Sequence, residues 1–175
     1  MAANHRFMTL MQRIWTIGHS TRKIDIFISL LEENGIKSIA DVRMFPGSKR
    51  YPQFNKDTLA KALNERGIRY EHFPALGGRR KAKPDSKNTA WRNEAFRGYA
   101  DYMETEDFHK GIARLVDLAS TAGPTAIMCA ETLWWRCHRA LISDFLKGAR
   151  RRGHPHCRSC EDRAAPVHVG RADCK

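Results

Sequence analysis

Short apolar runs alternate along the chain with stretches in which apolar residues recur every three or four positions. Four of the runs are short enough to be buried strands: residues 14–17, 36–42, 68–73 and 126–128. A helical period follows the first run, with apolar residues at i, i+3, i+4 and i+7: Ile24, Phe27, Ile28 and Leu31. These residues share one face of a helix, so the pattern predicts a strand followed by an amphipathic helix.

Further helices are predicted from the same period and from residues that end helices. Asn34 and Gly35 end the first helix, because both tolerate the left-handed conformation found after a helix C-terminus. Asn55 is a candidate N-cap of a second helix, which Gly67 ends. Three more helices are predicted over residues 91–103, 106–120 and, opening at 137–139, to roughly 147.

Strands that alternate with helices at short spacing predict an α/β fold, here a three-layer α/β/α domain. Its central sheet is expected to be mostly parallel and open, in the manner of a Rossmann-like sheet. We expect the domain to span residues 14–152, after a basic, flexible leader over residues 1–13. The tail, residues 153–175, is atypical and expected to be poorly ordered, with a poorly apolar candidate strand at 167–169.

Composition places the chain among globular proteins, since 42% of its residues are hydrophobic. No apolar run approaches the ~20 residues that span a bilayer, and no signal peptide is recognisable, so a cytoplasmic protein is expected. Five cysteines, an odd number, favour reduced thiols or metal ligands over a disulfide framework.

The charge balance indicates an anionic partner. Lys and Arg number 31 against 19 Asp and Glu, a net charge of +12. Nucleic acid is favoured over a membrane surface, because no basic amphipathic anchor helix is visible. Cations are interleaved with aromatic residues over 43–54 and 79–92, where they could meet phosphates and bases. The alternatives are a basic surface that serves solubility and aromatic residues that fold back onto the core.

Reactive side chains follow three of the predicted strands. They are His19 and Ser20 after the first, Asp41 and Arg43 after the second, and Cys129 and Glu131 after the fourth. Because the carboxyl ends of parallel strands share one edge of a sheet, we expect these residues to lie close together. The sequence therefore predicts a polar site at this edge.

Cys129 is the predicted nucleophile of that site, because arginines or a helix N-terminus can lower the pKa of a thiol. Acid or base roles are predicted for three residues: Glu131, His19 and His138. Substrate binding is predicted for four: Ser20, Asp41, Arg43 and Arg139. The structural alternatives are a buried Cys129 that only packs, a His138 bonded to backbone, and a Glu131 that caps the following helix.

Cys137 and His138 are adjacent at the predicted start of a helix, where neighbouring side chains diverge by about 100°. We therefore expect no mutual hydrogen bond between them. A metal site is the alternative to a site with a nucleophilic cysteine. Its thiolate and imidazole ligands would come from Cys129, Cys137, His138 and His19, but the spacing of these residues fits no short paired-ligand motif. No metal ligand is therefore assigned and any cofactor stays unknown. The tail holds a second weak cluster: His154, His156, Cys157 and Cys160.

Five motifs make the chain resemble the family called domain of unknown function 488. They are T-I-G-H-S (16–20), D-V-R with P-G-S (41–48), Y-x-x-F-P-A-L-G-G (70–78), F-R-G-Y-A-D-Y-M (96–103) and C-A-E-x5-C-H-R (129–139). The resemblance implies a compact α/β domain with a cysteine-containing site near these motifs, and it implies no reaction. The chain departs from the family after residue 153, where a strand is replaced by P-H-C-R-S-C.

Three functions remain open at this point. The first is an enzyme that acts on a nucleotide or nucleic acid through Cys129, Glu131 and His19, with Arg43 and Arg139 binding the anion. The second is a nucleic-acid-binding accessory module in which the cysteine segment is structural. The third is a thiol or metal sensor.

Overall fold

Four parallel strands form the central sheet in the computed structural model of the chain, which describes residues 14–151. The strands are β1 (Ile14–Gly18), β2 (Ser38–Asp41), β3 (Arg69–His72) and β4 (Thr125–Cys129). Their order across the sheet is β1-β4-β2-β3. In this register Gly18 lies opposite Cys129, and Asp41 lies opposite Met128. The reactive residues that follow the strands therefore meet at one edge.

Within the described residues, four α-helices connect the strands and a fifth follows β4. They are α1 (Ile24–Glu33), α2 (Lys56–Asn64), α3 (Glu94–Tyr102), α4 (Glu106–Ala122) and α5 (Arg139–Arg151). Short 3-10 turns lie at Pro52–Phe54, Pro74–Leu76 and Trp134–Arg136. No helix in residues 14–151 is long and apolar enough to cross a membrane.

Two apolar clusters, one on each face of the sheet, confirm the predicted three-layer α/β/α fold. Alternate residues of a strand face opposite sides, so Ile39 joins one cluster and Ala40 the other. The Ile39 cluster packs against α1 and α2, through residues such as Phe27 and Leu59. The Ala40 cluster packs against α3, α4 and α5: Tyr99, Phe108, Leu115, Ile142 and Leu146.

Three details of the helices differ from the sequence expectation. Helix α3 begins at Glu94 and not at residue 91, because the Asn93 side chain accepts hydrogen bonds from the amides of Ala95 and Phe96. Asn55 does occupy the N-cap of α2, but its side chain accepts the amide of Ser48 instead of capping the helix. Helix α5 begins at Arg139, the last of the three residues predicted to open it, and extends to Arg151 rather than to about residue 147. The candidate strand at 167–169 lies outside the described residues.

Strand β4 differs from its neighbours in where its connection goes. The chain leaves β1 and β2 for α1 and α2 on one face, whereas it leaves β4 for α5 on the other. Connections that diverge in this way open a crevice at the carboxyl edge of an α/β sheet, where ligands bind. The fold thus favours a site at the end of β4.

Gly18 is required where β1 meets the segment that follows β4. A Cβ on Gly18 would lie 2.0 Å from the Glu131 carbonyl oxygen and 2.9 Å from the Cα of Thr132, both backbone atoms. We expect Gly18→Ala to lower the free energy of unfolding by about 2–3 kcal/mol, because backbone atoms must move apart. Gly47→Ala is the control, since its Cβ would meet nothing within 4 Å. Urea unfolding measures both, and equal stabilities would contradict the close approach.

Candidate functional site

A cavity of about 600 Å³ opens at the carboxyl edge of the sheet. One wall is formed by the segment from the end of β4 to the start of α5: Cys129, Ala130, Glu131, Arg136, Cys137 and His138. The facing walls come from the loop after β2, the loop after β3 and the first turn of α3. This volume is in the range of small-molecule sites.

Two thiols and an imidazole cluster on the β4–α5 wall of the cavity. The Sγ atoms of Cys129 and Cys137 and a ring nitrogen of His138 all lie within 4.8 Å of one another. The Cys137 Sγ lies 3.5 Å from the Nδ1 of His138. The first cysteine of the C-A-E-x5-C-H-R motif and the Cys-His pair near its end therefore form one chemical group.

The contact between Cys137 and His138 corrects the expectation that their side chains diverge. Both residues precede α5, and Cys137 has an extended backbone (φ −126°, ψ 150°). The angle of about 100° applies only within a helix. Because neither residue is helical, the imidazole turns back onto the neighbouring sulfur.

The orientation of the His138 ring is set by a backbone carbonyl. Its Nε2 lies 3.1 Å from the carbonyl oxygen of Val42 and donates to it, which leaves Nδ1 to accept a proton from Cys137. The ring packs 5.1 Å from Tyr99, whose hydroxyl donates to the carbonyl of Leu76. A base that is oriented by a third group and contacts a nucleophile is the arrangement of thiol enzymes.

Gly78 makes room for the His138 ring and was not predicted as a site residue. A Cβ there would lie 2.9 Å from Nδ1 of His138. The Gly77-Gly78 pair directly after a strand and a turn is the signal that could have indicated a close approach. Tyr99 and Val42 were missed as well, because nothing in an apolar pattern distinguishes them from other core residues.

Electrostatics distinguish the two cysteines. Hydrogen bonding with the Cys129 thiol lowers the pKa of Cys137 most, and His138 and Arg139 lower it further against the opposing cost of burial. The same hydrogen bond, together with burial, raises the pKa of Cys129. Two coupled thiols lose their protons in separate steps. Ionisation is therefore favoured at Cys137, the thiol of the pair that contacts both His138 and Arg139.

Arg139 contacts Cys137 from behind the cavity wall. It is 1% exposed; its Nε donates to the Cys137 Sγ over 3.4 Å, and its Nη2 donates to the Glu131 carbonyl. Arg139 does not line the cavity, although substrate binding was predicted for it. Its contacts join Cys137 to the backbone of the segment that follows β4.

Asp41 and Arg43 bind each other. The Asp41 carboxylate is fully buried and accepts from the Nε and Nη2 of Arg43, at 2.9 and 2.5 Å, and from the hydroxyl of Tyr70 at 2.6 Å. The Arg43 Nη1 also lies 3.3 Å from the Nε2 of His19. Arg43 lines the cavity, whereas Asp41 lies behind it. Much of the hydrogen-bonding capacity of Arg43 is thus used within the protein.

His19 and Ser20 lie outside the cavity lining. The His19 ring is 4% exposed, stacks on Phe54 at 4.2 Å and donates from Nδ1 to the Ser20 carbonyl. Burial lowers the pKa of His19 to about 4, so the ring is neutral near pH 7 and presents its Nε2 lone pair to Arg43. Ser20 pairs by its amide with the Ala130 carbonyl. Both residues brace the site from behind.

Glu131 is exposed at the cavity wall. Its Oε1 accepts the amide of Leu133, which lies in the turn before α5 rather than in the helix. Four of the eight predicted site residues therefore line the cavity, and they are Cys129, Glu131, His138 and Arg43. The other four lie behind its wall.

A metal ion could also be held by the thiol–imidazole group. Among residues 14–151 the possible ligand set is Cys129, Cys137 and His138, and His19 does not belong to it. Two thiolates and one imidazole are ligands that zinc accepts, and three protein ligands leave one position open. The hydrogen bond from His138 to Val42 is of the kind that orients a ligating histidine.

The fold and the site together define a class: a parallel α/β protein with a paired-cysteine and histidine site at the carboxyl edge of its sheet. The chain belongs to the family Domain of unknown function DUF488, whose model matches residues 23–146. Comparison with curated proteins and with solved structures finds no match. The description of this family names no reaction.

Proposed function

We propose that this protein is an enzyme that attacks an anionic substrate with the thiolate of Cys137. The sulfur bonds to an electrophilic atom of the substrate, the bond from that atom to its leaving group breaks, and the leaving group departs with the proton that His138 took from Cys137. Water then displaces the sulfur and releases the product. The observation that carries the proposal is the contact of Cys137 with His138, whose other ring nitrogen donates to Val42. His138 accepts the thiol proton at Nδ1, and Arg139 stabilises the thiolate through its Nε. Cys137 lines the cavity and is 5% exposed, so a bound substrate would reach the sulfur from the cavity side.

Substrate charge would be met by the arginines of the cavity wall. Arg79 and Arg136 are exposed and line the cavity, whereas Arg43 is already bound to Asp41. We therefore assign the main anion contacts to Arg79 and Arg136. Arg43 would contribute to the electrostatic potential of the cavity but would not form a bidentate hydrogen bond with the substrate. A nucleotide or nucleic acid fits this charge and the aromatic walls of the cavity.

Proton transfer to and from the substrate would fall to Glu131 and His138, which face the cavity. Cys129 would donate its hydrogen bond to the thiolate and keep its own proton. This assignment makes Cys137 the nucleophile in place of Cys129, which the sequence favoured. His19 would act as a positioning residue for Arg43, since its buried ring does not reach the cavity.

The pH profile of Cys137 alkylation tests this thiolate. A lowered pKa keeps the thiolate present as the pH falls, so alkylation by iodoacetamide should stay flat well below the ordinary thiol pKa of ~8.5. In His138→Gln we expect the pH profile of Cys137 alkylation to approach that of an ordinary thiol. The alkylation rate should then fall by up to about tenfold for each unit by which the pH is lowered. Peptide mass spectrometry separates Cys137 from the other cysteines.

The test depends on how the alkylation rate of Cys137 changes with pH and not on the absolute rate, because a thiolate of low pKa is also less nucleophilic. Gln is the matched replacement for His138 since its amide can still donate to Val42 but accepts a proton poorly. A Cys137 profile that follows an ordinary thiol in the wild-type protein would contradict the proposal. A flat profile at Cys129 instead would return the nucleophile to that residue.

A further inference from the structure

Two basic loops border the mouth of the cavity. We call residues 43–51 the first rim loop and residues 78–93 the second. The first rim loop contributes Phe45, which is 70% exposed, to the cavity wall. The second contributes Arg79 and ends beside Phe96, which also lines the cavity. A substrate larger than a single nucleotide can extend from the cavity onto these loops.

The second rim loop is held in place despite its lack of regular structure. The Asp101 carboxylate accepts from the Lys83 amide at 2.8 Å, from the Ser86 hydroxyl at 2.6 Å and from the Asn88 side chain at 2.8 Å. Gly98 lets the loop backbone approach α3, since a Cβ there would lie 2.4 Å from the Arg80 carbonyl. The loop is thus a preformed surface, which lowers the entropic cost of binding.

Exposed cations follow one another along the second rim loop. Within the part of the chain that the structure describes, no ion pair involves the exposed members of the set: Arg79, Lys81, Lys83, Lys87 and Arg92. Only one acidic residue, Asp85, lies within residues 79–92. Such a track suits a chain of phosphates better than a single phosphate group.

Aromatic faces accompany the cations. Trp91 is 39% exposed and stacks on Phe96, with ring centroids 5.5 Å apart and planes 14° apart. The Trp91 carbonyl accepts from Arg97, which fixes this end of the loop. Phe96 lines the cavity and Trp91 lies in the second rim loop, so the stacked pair forms a continuous aromatic surface from the rim into the cavity. Unpaired bases stack on such faces, whereas bases inside a duplex cannot reach them.

We propose that the second rim loop binds a single-stranded nucleic acid, whose phosphates follow Lys81, Lys83 and Lys87 while one base passes Trp91 and Phe96 into the cavity. This proposal rests on the proposed function, because it names the substrate of the same site. A duplex is disfavoured because the cysteines lie on the wall of a cavity that a paired base cannot enter.

Fluorescence anisotropy of labelled oligonucleotides tests the proposal. Binding is measured on Cys137→Ser protein, so that no chemistry consumes the probe, with single-stranded DNA, single-stranded RNA, the corresponding duplex and a mononucleotide as competitor. The rim variant is Lys81→Gln/Lys83→Gln/Lys87→Gln. Its control is Lys37→Gln/Lys61→Gln/Lys110→Gln, which removes the same charge from three exposed lysines outside both rim loops. Circular dichroism verifies that both variants are folded.

We expect single-stranded DNA or RNA to bind more tightly than the duplex, and the rim variant to bind at least about tenfold more weakly than its control. The salt dependence of log K should also become shallower by about 2 in the rim variant, at roughly 0.7 for each phosphate that the three lysines no longer neutralise. Trp91→Ala should weaken binding by about fivefold or more, because a base can no longer stack on the indole. The ratio of DNA to RNA affinity then identifies the sugar.

Equal affinities of the rim variant and its control, tighter duplex binding, or no single-strand binding would each overturn the proposal. So would a mononucleotide that competes as well as the unlabelled oligonucleotide does. These failures are separable from failure of the proposed function. A flat alkylation profile at Cys137 without single-strand binding leaves the thiol enzyme standing, whereas single-strand binding with an ordinary thiol profile leaves only the binding surface.

Discussion

Replacing Cys137 by serine should abolish turnover of any nucleotide or oligonucleotide that the wild-type protein converts. We expect a loss of at least about 10³-fold, because an alcohol with an adjacent imidazole but no lowered pKa is a poor replacement for a thiolate. Product analysis measures turnover, and intact-protein mass spectrometry detects a covalent adduct, which should map to Cys137 in the wild-type protein. The variant should keep its fold, since serine differs from cysteine by one atom.

Cys129→Ser is the matched control for this experiment. It removes the other thiol of the pair and leaves the contacts of Cys137 with His138 and Arg139 in place. We expect about tenfold lower turnover, because a serine hydroxyl can still donate a hydrogen bond to the thiolate. Full activity in Cys137→Ser together with complete loss in Cys129→Ser would assign the nucleophile to Cys129.

A bound metal would change the meaning of both variants, so elemental analysis of the same samples accompanies them. Protein purified without chelator or an affinity metal is the sample to measure. Stoichiometric zinc that disappears in both variants would make the pair a ligand set rather than a nucleophile and its hydrogen-bond donor. Metal-free protein that is active would support the thiolate.

Asp41→Ala should lower the free energy of unfolding by about 3–5 kcal/mol, the range observed when one partner of a buried ion pair is removed. The variant leaves the Arg43 guanidinium, only 7% exposed, without its carboxylate, and Tyr70 without the acceptor of its hydroxyl. The expected loss of stability is large because the unpaired charge of Arg43 stays buried and cannot regain its hydration. Urea unfolding followed by circular dichroism measures the change.

Glu106→Ala provides the comparison on a solvent-exposed pair. Glu106 and Lys110 lie one turn apart on α4 with exposed side chains 2.8 Å apart, and such pairs contribute about 0.3–0.5 kcal/mol. The double variant Asp41→Ala/Arg43→Met should recover part of the stability that Asp41→Ala loses, because it also removes the unpaired charge. A loss below about 1 kcal/mol in Asp41→Ala would show that water reaches Arg43 and that the pair is not buried.

Much of the fold could be predicted because local patterns are sufficient for it. The apolar period of Ile24, Phe27, Ile28 and Leu31 requires a helix with one buried face, and all but Ile24 are buried there. The short apolar run before Cys129 became the buried strand β4. Helix boundaries were less accurate at α3 and α5, because side-chain caps and extended residues before a helix leave little trace in an apolar pattern.

The sequence predicted that reactive residues collect at the carboxyl edge of the sheet, and four of the eight residues that it named line the cavity there. In a parallel sheet the carboxyl ends of β1, β2 and β4 lie at one edge for any conformation of the loops, so this part of the prediction follows from topology alone. The chemistry depended on partners that are distant in sequence. His138 is oriented by Val42, 96 residues before it, and Arg43 contacts His19, 24 residues before it.

The sequence by itself determined the order of strands and helices, the excess of positive charge and the edge at which reactive residues collect. Only the tertiary structure decided that Asp41 neutralises Arg43, that His19 and Arg139 lie behind the cavity, and that the sulfur of Cys137 contacts His138 and Arg139. The physical reason is that periodicity records which face of an element is buried. The pKa of a thiol depends on which donors and charges lie within a few ångströms of its sulfur, and those come from loops whose conformations no local pattern specifies.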